Sequence, residues 1–379
     1  MPGVYISYPF CAQKCTYCNF ASGVLPRELE VTYVEALRAE LRGTKWPWKP
    51  ETVYLGGGTP SNITPEVLAS LLAEIPGAPC SEAAWSESTI ESAPGSISVE
   101  KAAAWRRAGI NRVSLGVQSF VARELARTGR KHTAQTVADD VATLRDAALE
   151  SISIDLIAGL SGQTEASWAE SLDWVERIAV PHVSVYMLEV DEDSRLGREM
   201  LLGGVRYGAS DAPSDDQVAD FYETAVERLA NAGLARYEIS NFARPGFESR
   251  HNLKYWCREP YLGFGADAHS FDGTWRWQNP ESAAGYVEHP GASERELADP
   301  LGEPFFLGLR LSAGIEIDGI ESDGSPFENV IERFLRDGLL ERCGGRVRLT
   351  PRGLLLSNEV FAEFVGVPAQ VENDAMISF

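Results

Sequence analysis

Six short β-rich runs, each followed by a stretch with helical spacing, constrain this chain more than any other feature. The runs are VYISYPF (4–10), TVYLGGG (52–58), STIES (88–92), RVSLGVQSF (112–120), SISIDLIAGL (151–160) and HVSVYMLEV (182–190). Between them apolar residues recur three and four apart: Tyr33, Leu37 and Leu41, then Val67, Leu68, Leu71 and Leu72, then Val137, Val141 and Leu144, then Trp168, Leu172 and Val175. Strands separated by one helix each form parallel βα units. Several runs are apolar nearly throughout, as strands covered on both faces should be. The expectation is an α/β fold, a partial (β/α)6 TIM-like barrel two units short of the closed form.

The remainder divides by composition. Gly203 to Pro213 reads as a connector, followed by a helix around Asp216–Asn231 that Gly233 terminates. Tyr237 to Trp277 is rich in aromatics and punctuated by glycines, and residues 289–302 are polar and turn-rich. The expected domains are therefore 1–288 and 303–379. In the second, NVIERFLRDGLL, a hairpin around Gly344-Gly345 and GLLLSNEVFAEFV follow the order of a small winged-helix-like α+β module. It shows no basic recognition helix, so packing is a better reading than DNA binding.

Composition narrows the function. The 379 residues carry a net charge of −21, and 44% are hydrophobic. That hydrophobic share supports a sizeable core, while the acidity disfavours nucleic acid and anionic membranes. No run approaches the ~18 apolar residues of a spanning helix, and MPGVYISYPFCAQKC has no secretory pattern. A cytoplasmic location is expected, with the six cysteines reduced or bound to metal.

Three of the six are clustered: Cys11, Cys15 and Cys18. No paired CxxC or Cys/His partner supplies the four ligands of a structural zinc site. Three thiolates suit a [4Fe–4S] cube with one iron left open to an external ligand. Lys14, Thr16 and Asn19 between them make the stretch too polar for three buried packing thiols. The loop directly follows the first β-run, where barrel sites are built.

CAQKCTYC resembles the CxxxCxxC signature of the radical S-adenosylmethionine (SAM) superfamily. VYLGGGTPS, GINRVSLGVQSF, DLIAGLSGQT and YEISNFARPGFESRHNLKYW narrow the resemblance to the coproporphyrinogen dehydrogenase-like branch, and within it to the heme-chaperone (HemW) type. The resemblance implies SAM chelated at the open iron. It also implies a SAM site from Tyr5, the Gly57-Gly58-Thr59 turn, Glu91, Gln118, Arg130 and Asp155. Arg130 would pair with the SAM carboxylate, and the acidic and amide side chains would hold its amino, ribose or adenine groups. Each of these residues stands on or just beyond a β-run, so all converge on one face. Ser7 replaces the histidine of the family's YxHIPFC pattern, and no Asn-Pro follows Glu91.

Two relatives within the branch compete. The coproporphyrinogen III dehydrogenases, which perform SAM-dependent oxidative decarboxylation, have a fourth cysteine where this chain has Phe20, and a long N-terminal extension. Only ten residues precede Cys11 here. His251 to Trp256 matches the HNxxYW element of the heme-chaperone type. That resemblance implies heme as a third cofactor, with His251 as axial ligand and Tyr255 and Trp256 as a flat apolar surface. Read on its own, His251 is a hydrogen-bonded core histidine. His182 and His269 are secondary heme candidates, Arg250 and Lys254 are candidate partners for the propionates, and Cys257 is most simply packing. Cys80 and Cys343 have no assigned role. The expected partners are heme and an unidentified heme-acceptor protein, with no nucleic acid and no membrane span, transient contact with a membrane-bound acceptor being left open.

Overall fold

The computed structural model describes residues 2–78, 84–291, 294–316 and 327–365. Cys80 lies outside them. The chain divides into two compact units: the described residues up to Lys254 together with Glu259–Glu296, and Tyr255–Arg258 together with the described residues from Leu297 onward.

In the first unit six parallel strands follow one another in chain order: β1 (Gly3–Tyr8), β2 (Thr52–Gly57), β3 (Glu87–Ser92), β4 (Arg112–Gln118), β5 (Ser151–Ala158) and β6 (His182–Met187). The crossovers are α1 (Arg27–Gly43), α2 (Pro65–Leu72), α3 (Val99–Arg107), the pair α4 (Ala122–Thr128) and α5 (Ala134–Asp146), and α6 (Glu165–Ile178). Among the described residues eight helices start on a hydroxyl cap, with reciprocal capping boxes at Thr133–Thr136, Thr164–Ser167 and Ser214–Gln217. After β6 come α7 (Arg195–Leu201), a 3₁₀ turn at Arg206–Asp211 and α8 (Asp215–Asn231). The expected connector thus holds a helical turn, and α7 before it carries no strong periodic signal. Short strands β7 (Ala235–Arg236) and β8 (Asn241–Ala243) extend the sheet beyond β6. After α9 (Arg250–Trp256), β9 (Tyr261–Phe264) pairs parallel with β1, and β10 (His269–Phe271) and β11 (Trp275–Gln278) continue the sheet antiparallel.

The strands are not apolar on both faces. Val4, Ile6, Val53, Leu55, Ile90, Val113, Leu115, Ile152, Ile154, Val183 and Val185 are buried in the outward row beneath the helices. The alternating inward row is polar: Tyr5, Tyr54, Glu91, Ser114, Ser153, Asp155, Ser184 and Tyr186. Successive side chains point to opposite faces, so one row builds the core and the other lines the barrel interior.

The lower end of the barrel, at the strand starts, is closed by α9 and the loop before it. Glu87, 5% exposed, accepts the backbone N–H groups of Arg250 (3.0 Å) and His251 (2.9 Å) and the Ser249 hydroxyl (3.4 Å). A carboxylate on the first N–H groups of a helix satisfies orphan donors and favours the dipole. Arg112 lies 3.8 Å from the same carboxylate and donates to the Phe247 carbonyl (2.8 Å).

The second unit contains α11 (Glu303–Gly308), which follows α10 (Ala283–Glu288) along the chain, then α12 (Glu328–Arg336), α13 (Pro351–Leu355) and α14 (Ser357–Ala362). Counting β12 (Glu296–Leu297) before it, its three-stranded antiparallel sheet runs β13 (Ile315–Glu316), β15 (Arg346–Leu349), β14 (Leu340–Cys343). Phe305, Phe327 and Phe364 form its core, with ring centroids 4.8–5.1 Å apart.

Glu87→Ala would leave the Arg112 charge buried and α9 without its cap. A loss of about 3–5 kcal/mol is expected, read as a lower midpoint in urea denaturation. An unchanged midpoint would show that the closed end does not depend on this carboxylate.

Candidate functional site

Beyond β1 the chain leaves the sheet and forms a loop that carries all three clustered cysteines. Its base is closed by Cys11 N–H to Gly23 O (2.8 Å) and Gly23 N–H to Pro9 O (2.9 Å). One flank is tied to the segment after α4: Thr16 N–H donates to Thr128 O (3.3 Å), and the Gln13 amide to Gly129 O. The other flank is tied to the α7 region through Leu196 N–H to Thr16 O (2.8 Å) and the Asn19 amide to Asp191 (2.6 Å). Cys11, Cys15 and Cys18 remain partly exposed and line a cavity of 680 Å³ over the C-terminal ends of the strands.

The turn after β2 is the tightest part of this cavity. Gly57 has φ +105°, a conformation that favours glycine. A Cβ on Gly58 would stand 2.8 Å from the Pro9 carbon and Tyr8 oxygen and 3.0 Å from the Cys11 sulfur. The bare backbone therefore lets the cysteine loop pack against the turn, and Thr59 N–H donates to Phe10 O (3.1 Å).

The inward row supplies two carboxylates. Glu91 accepts from the Tyr54 hydroxyl (2.9 Å); burial and the nearby Asp155 charge push its pKa up to about 7. Asp155 is also raised by burial, against hydroxyls that hold its charged form: Ser114 (2.9 and 3.1 Å) and Ser153 (3.3 Å), with Ser184 alongside. Arg130 donates to Gly116 O (2.6 Å) and, through two nitrogens, to the Tyr17 hydroxyl (3.1 Å each). Gln118 ends β4 at a register shift with φ +70°, a strained conformation for a residue with a side chain. Burial pushes the Cys18 thiol up, so its thiolate needs a cationic partner such as metal.

Cys11, Cys15, Cys18, Gly57, Gly58, Thr59, Glu91, Gln118, Arg130 and Asp155 thus share one cavity. Tyr5 is set behind it, its ring stacked on Tyr54 at 6.1 Å. Ser7 is buried below Gly57. Sequence reasoning missed Tyr17, Tyr186 and His132, which also line the cavity. His132 follows Arg130 by two residues, and that adjacency was its one signal. Burial and the Arg130 charge hold its pKa down to about 4, which keeps the imidazole neutral.

His251 is placed elsewhere. It is fully buried at the closed lower end, with Nδ1 2.8 Å from the Thr52 hydroxyl and its ring stacked on Tyr54. Burial and the Lys254 charge hold its pKa down to about 3. In this conformation it has no open face for a porphyrin. His182 is buried at the same end between Ser153 (2.7 Å) and Tyr237 (3.0 Å). Lys254 is consumed by Glu51 (2.5 Å) and Glu259 (3.2 Å), which removes it as a propionate partner. His269, Arg250, Cys257 and Cys343 are exposed. Tyr255 and Trp256 belong to the second unit, where the Arg310 guanidinium lies 4.2 Å from the Trp256 ring.

The donor set fits a cluster better than a single ion. Among the described residues no three His, Cys, Asp or Glu side chains come together to hold one metal ion. A four-iron cube takes each thiolate on a different iron and needs no such convergence. Three thiols on a loop tied at both flanks, over a cavity with two carboxylates and a guanidinium, suit a cluster and a zwitterionic ligand beside it.

A parallel partial barrel with a three-cysteine loop after its first strand defines a radical SAM protein. Residues 5–175 match the radical SAM superfamily, and residues 296–356 match the HemN C-terminal domain. Proteins called heme chaperone HemW are similar over nearly the whole chain. The one from Bacillus subtilis (strain 168) is 33% identical over 97% of this chain and 100% of its own. That from Mycobacterium tuberculosis (strain ATCC 25618 / H37Rv) is 36% identical over 96% and 95%. The chain belongs to the HemW family of radical SAM proteins. In structure it is similar to coproporphyrinogen III oxidase (HemN) from Escherichia coli, a radical SAM enzyme, with TM-score 0.78 and 22% identity over 96% of this chain and 89% of that one. Among the described residues no helix is long and apolar enough to cross a membrane.

Gly58→Ala tests the cradle. The added methyl collides with backbone that cannot swing away, so iron and sulfide per chain after anaerobic reconstitution should fall by more than half. Full iron content in the variant would show that the turn and the loop are not tightly fitted.

Proposed function

We propose that this chain is a cytoplasmic heme chaperone on a radical SAM barrel, which binds a [4Fe–4S] cluster, SAM and heme and passes heme to an acceptor protein. The observation that carries the reading is the near-complete match to HemW proteins, together with a single cavity that collects the cysteines and the polar strand-end residues. Cys11, Cys15 and Cys18 would hold the cluster. When bound, the cluster offers one open iron to SAM and an electron for its cleavage.

The chain's own residues then divide the ligand by charge. Arg130, now resting on Tyr17 and Gly116 O, presents a guanidinium fork that suits the SAM carboxylate. Glu91 and Asp155 face the positively charged parts of SAM or its ribose hydroxyls, and Gln118 supplies an amide beside them. Thr59 and the Gly57-Gly58 turn line the cavity beside the cysteine loop and would offer backbone groups to the ligand. Tyr5 buttresses Tyr54, which in turn orients Glu91.

Anaerobic protein carrying its cluster should take up heme and transfer it to an apo-acceptor, and should form no protoporphyrinogen from coproporphyrinogen III, SAM and reductant. Product formation would favour a dehydrogenase instead. Two further outcomes are expected. A ligand that needs ionised Glu91 binds better as that carboxyl loses its proton, so SAM affinity should rise through a pH of about 7 and lose that step in Glu91→Gln. A flat wild-type profile would count against the role of Glu91. His251→Ala should lower the denaturation midpoint while leaving the heme absorption band where it is; a shifted band would return His251 to the iron.

A further inference from the structure

The closed lower end leaves the heme without its expected ligand, and the open end of the cavity has the chemistry to receive it. Phe20 lines the mouth yet is 66% exposed. Beside it, Val24 is 65% exposed. On the segment that follows β6, Val190, Leu201, Leu202 and Val205 are 45–79% exposed. The cysteine loop and α7 are hydrogen-bonded to each other, so these side chains belong to two joined segments at one end of the barrel. Of these, Phe20 itself lines the cavity, and an exposed aromatic on a cavity wall is a candidate ligand contact.

The same rim carries cations, although the chain as a whole is at −21. Lys14 and Lys131 both line the cavity. Lys14 reaches the Phe20 carbonyl (3.3 Å), and Lys131 is exposed with no ion pair among the described residues. They lie on either side of the seam where Thr16 and Gln13 bond to Thr128 and Gly129.

We propose that heme docks at the mouth of the cysteine-lined cavity, its macrocycle against Phe20 and its propionates toward Lys14 and Lys131. This rests on the chaperone reading and gives it a location. A flat apolar ring edged by two carboxylates matches an exposed aromatic flanked by two lysines. Lysines at the cavity edge give a local positive potential that attracts an anionic group to that edge in an otherwise acidic chain.

The test uses the full chain with its cluster, titrated with heme and with heme dimethyl ester while the absorption band is followed. Heme should bind wild type more tightly than the ester does. Lys131→Glu should weaken heme by about tenfold and leave the ester unchanged, whereas Phe20→Ser should weaken both. Equal affinity of wild type for heme and ester would overturn the lysine contacts, with no variant needed. Both variants titrating like wild type would overturn the site. No uptake of heme by wild type would instead overturn the chaperone reading on which the site rests.

Discussion

Glu87, at the foot of β3, is the buried charge around which the lower half of the barrel is arranged. It lies within reach of Arg112 on the next strand, and it receives the first N–H groups of α9 from far along the chain. A buried carboxylate is costly unless its oxygens are filled, and here a helix terminus and a guanidinium fill them together. The arrangement fixes α9 against the strand starts and so carries His251 onto Thr52 and Lys254 onto Glu51. An open partial barrel would admit water from both ends. This plug packs against the strand starts, at the end opposite the cysteine loop.

The cysteine-loop end then inherits the opposite electrostatics. Inward residues near the strand ends include Glu91 and Asp155: burial opposes the ionisation of both, and the Asp155 charge further opposes that of Glu91. Serine and tyrosine hydroxyls offset part of that cost without cancelling the charge. Such a floor is poised for a cation, and its strain persists because the outward row of Val, Ile and Leu packs the strands firmly under their helices. Gln118 at positive φ adds backbone strain of a different kind at the same level, where the register shifts at the end of β4.

The parallel barrel was legible because helix and strand periods alternate six times, and the cysteine loop because three thiols cannot be a random spacing in so polar a stretch. Glu91, Arg130 and Asp155 were legible as polar residues at strand ends. The two rows within each strand were harder to see: Ser, Thr and Tyr have good strand propensity, so STIES and SISIDL read as strands without declaring which face is wet. That His251, read on its own, is a hydrogen-bonded core histidine was legible, but which residues hold it was not. Its partners Thr52 and Glu87 lie more than 150 residues away, and no local pattern reports a contact of that range. The same holds for Tyr255–Arg258, which local pattern joins to the barrel and the structure groups with the second unit.

Net charge acquires a spatial meaning once the ion pairs are placed. Lys254 is spent on Glu51 and Glu259, Arg112 on Glu87, and Arg228 on Asp173 and Glu176. These cations are occupied by carboxylates, whereas Lys131 lines the cavity and makes no ion pair among the described residues. SAM carries a sulfonium and an ammonium against one carboxylate, so it is a net cation suited to the acidic floor, with Arg130 for its single negative group. Heme is a net anion at its propionate edge and is unsuited to that floor. On the proposed reading, a cavity with carboxylates below and lysines at its rim would sort the two ligands by depth: the small cation would descend to the strand ends, and the large anion would be held at the lip, open to an acceptor.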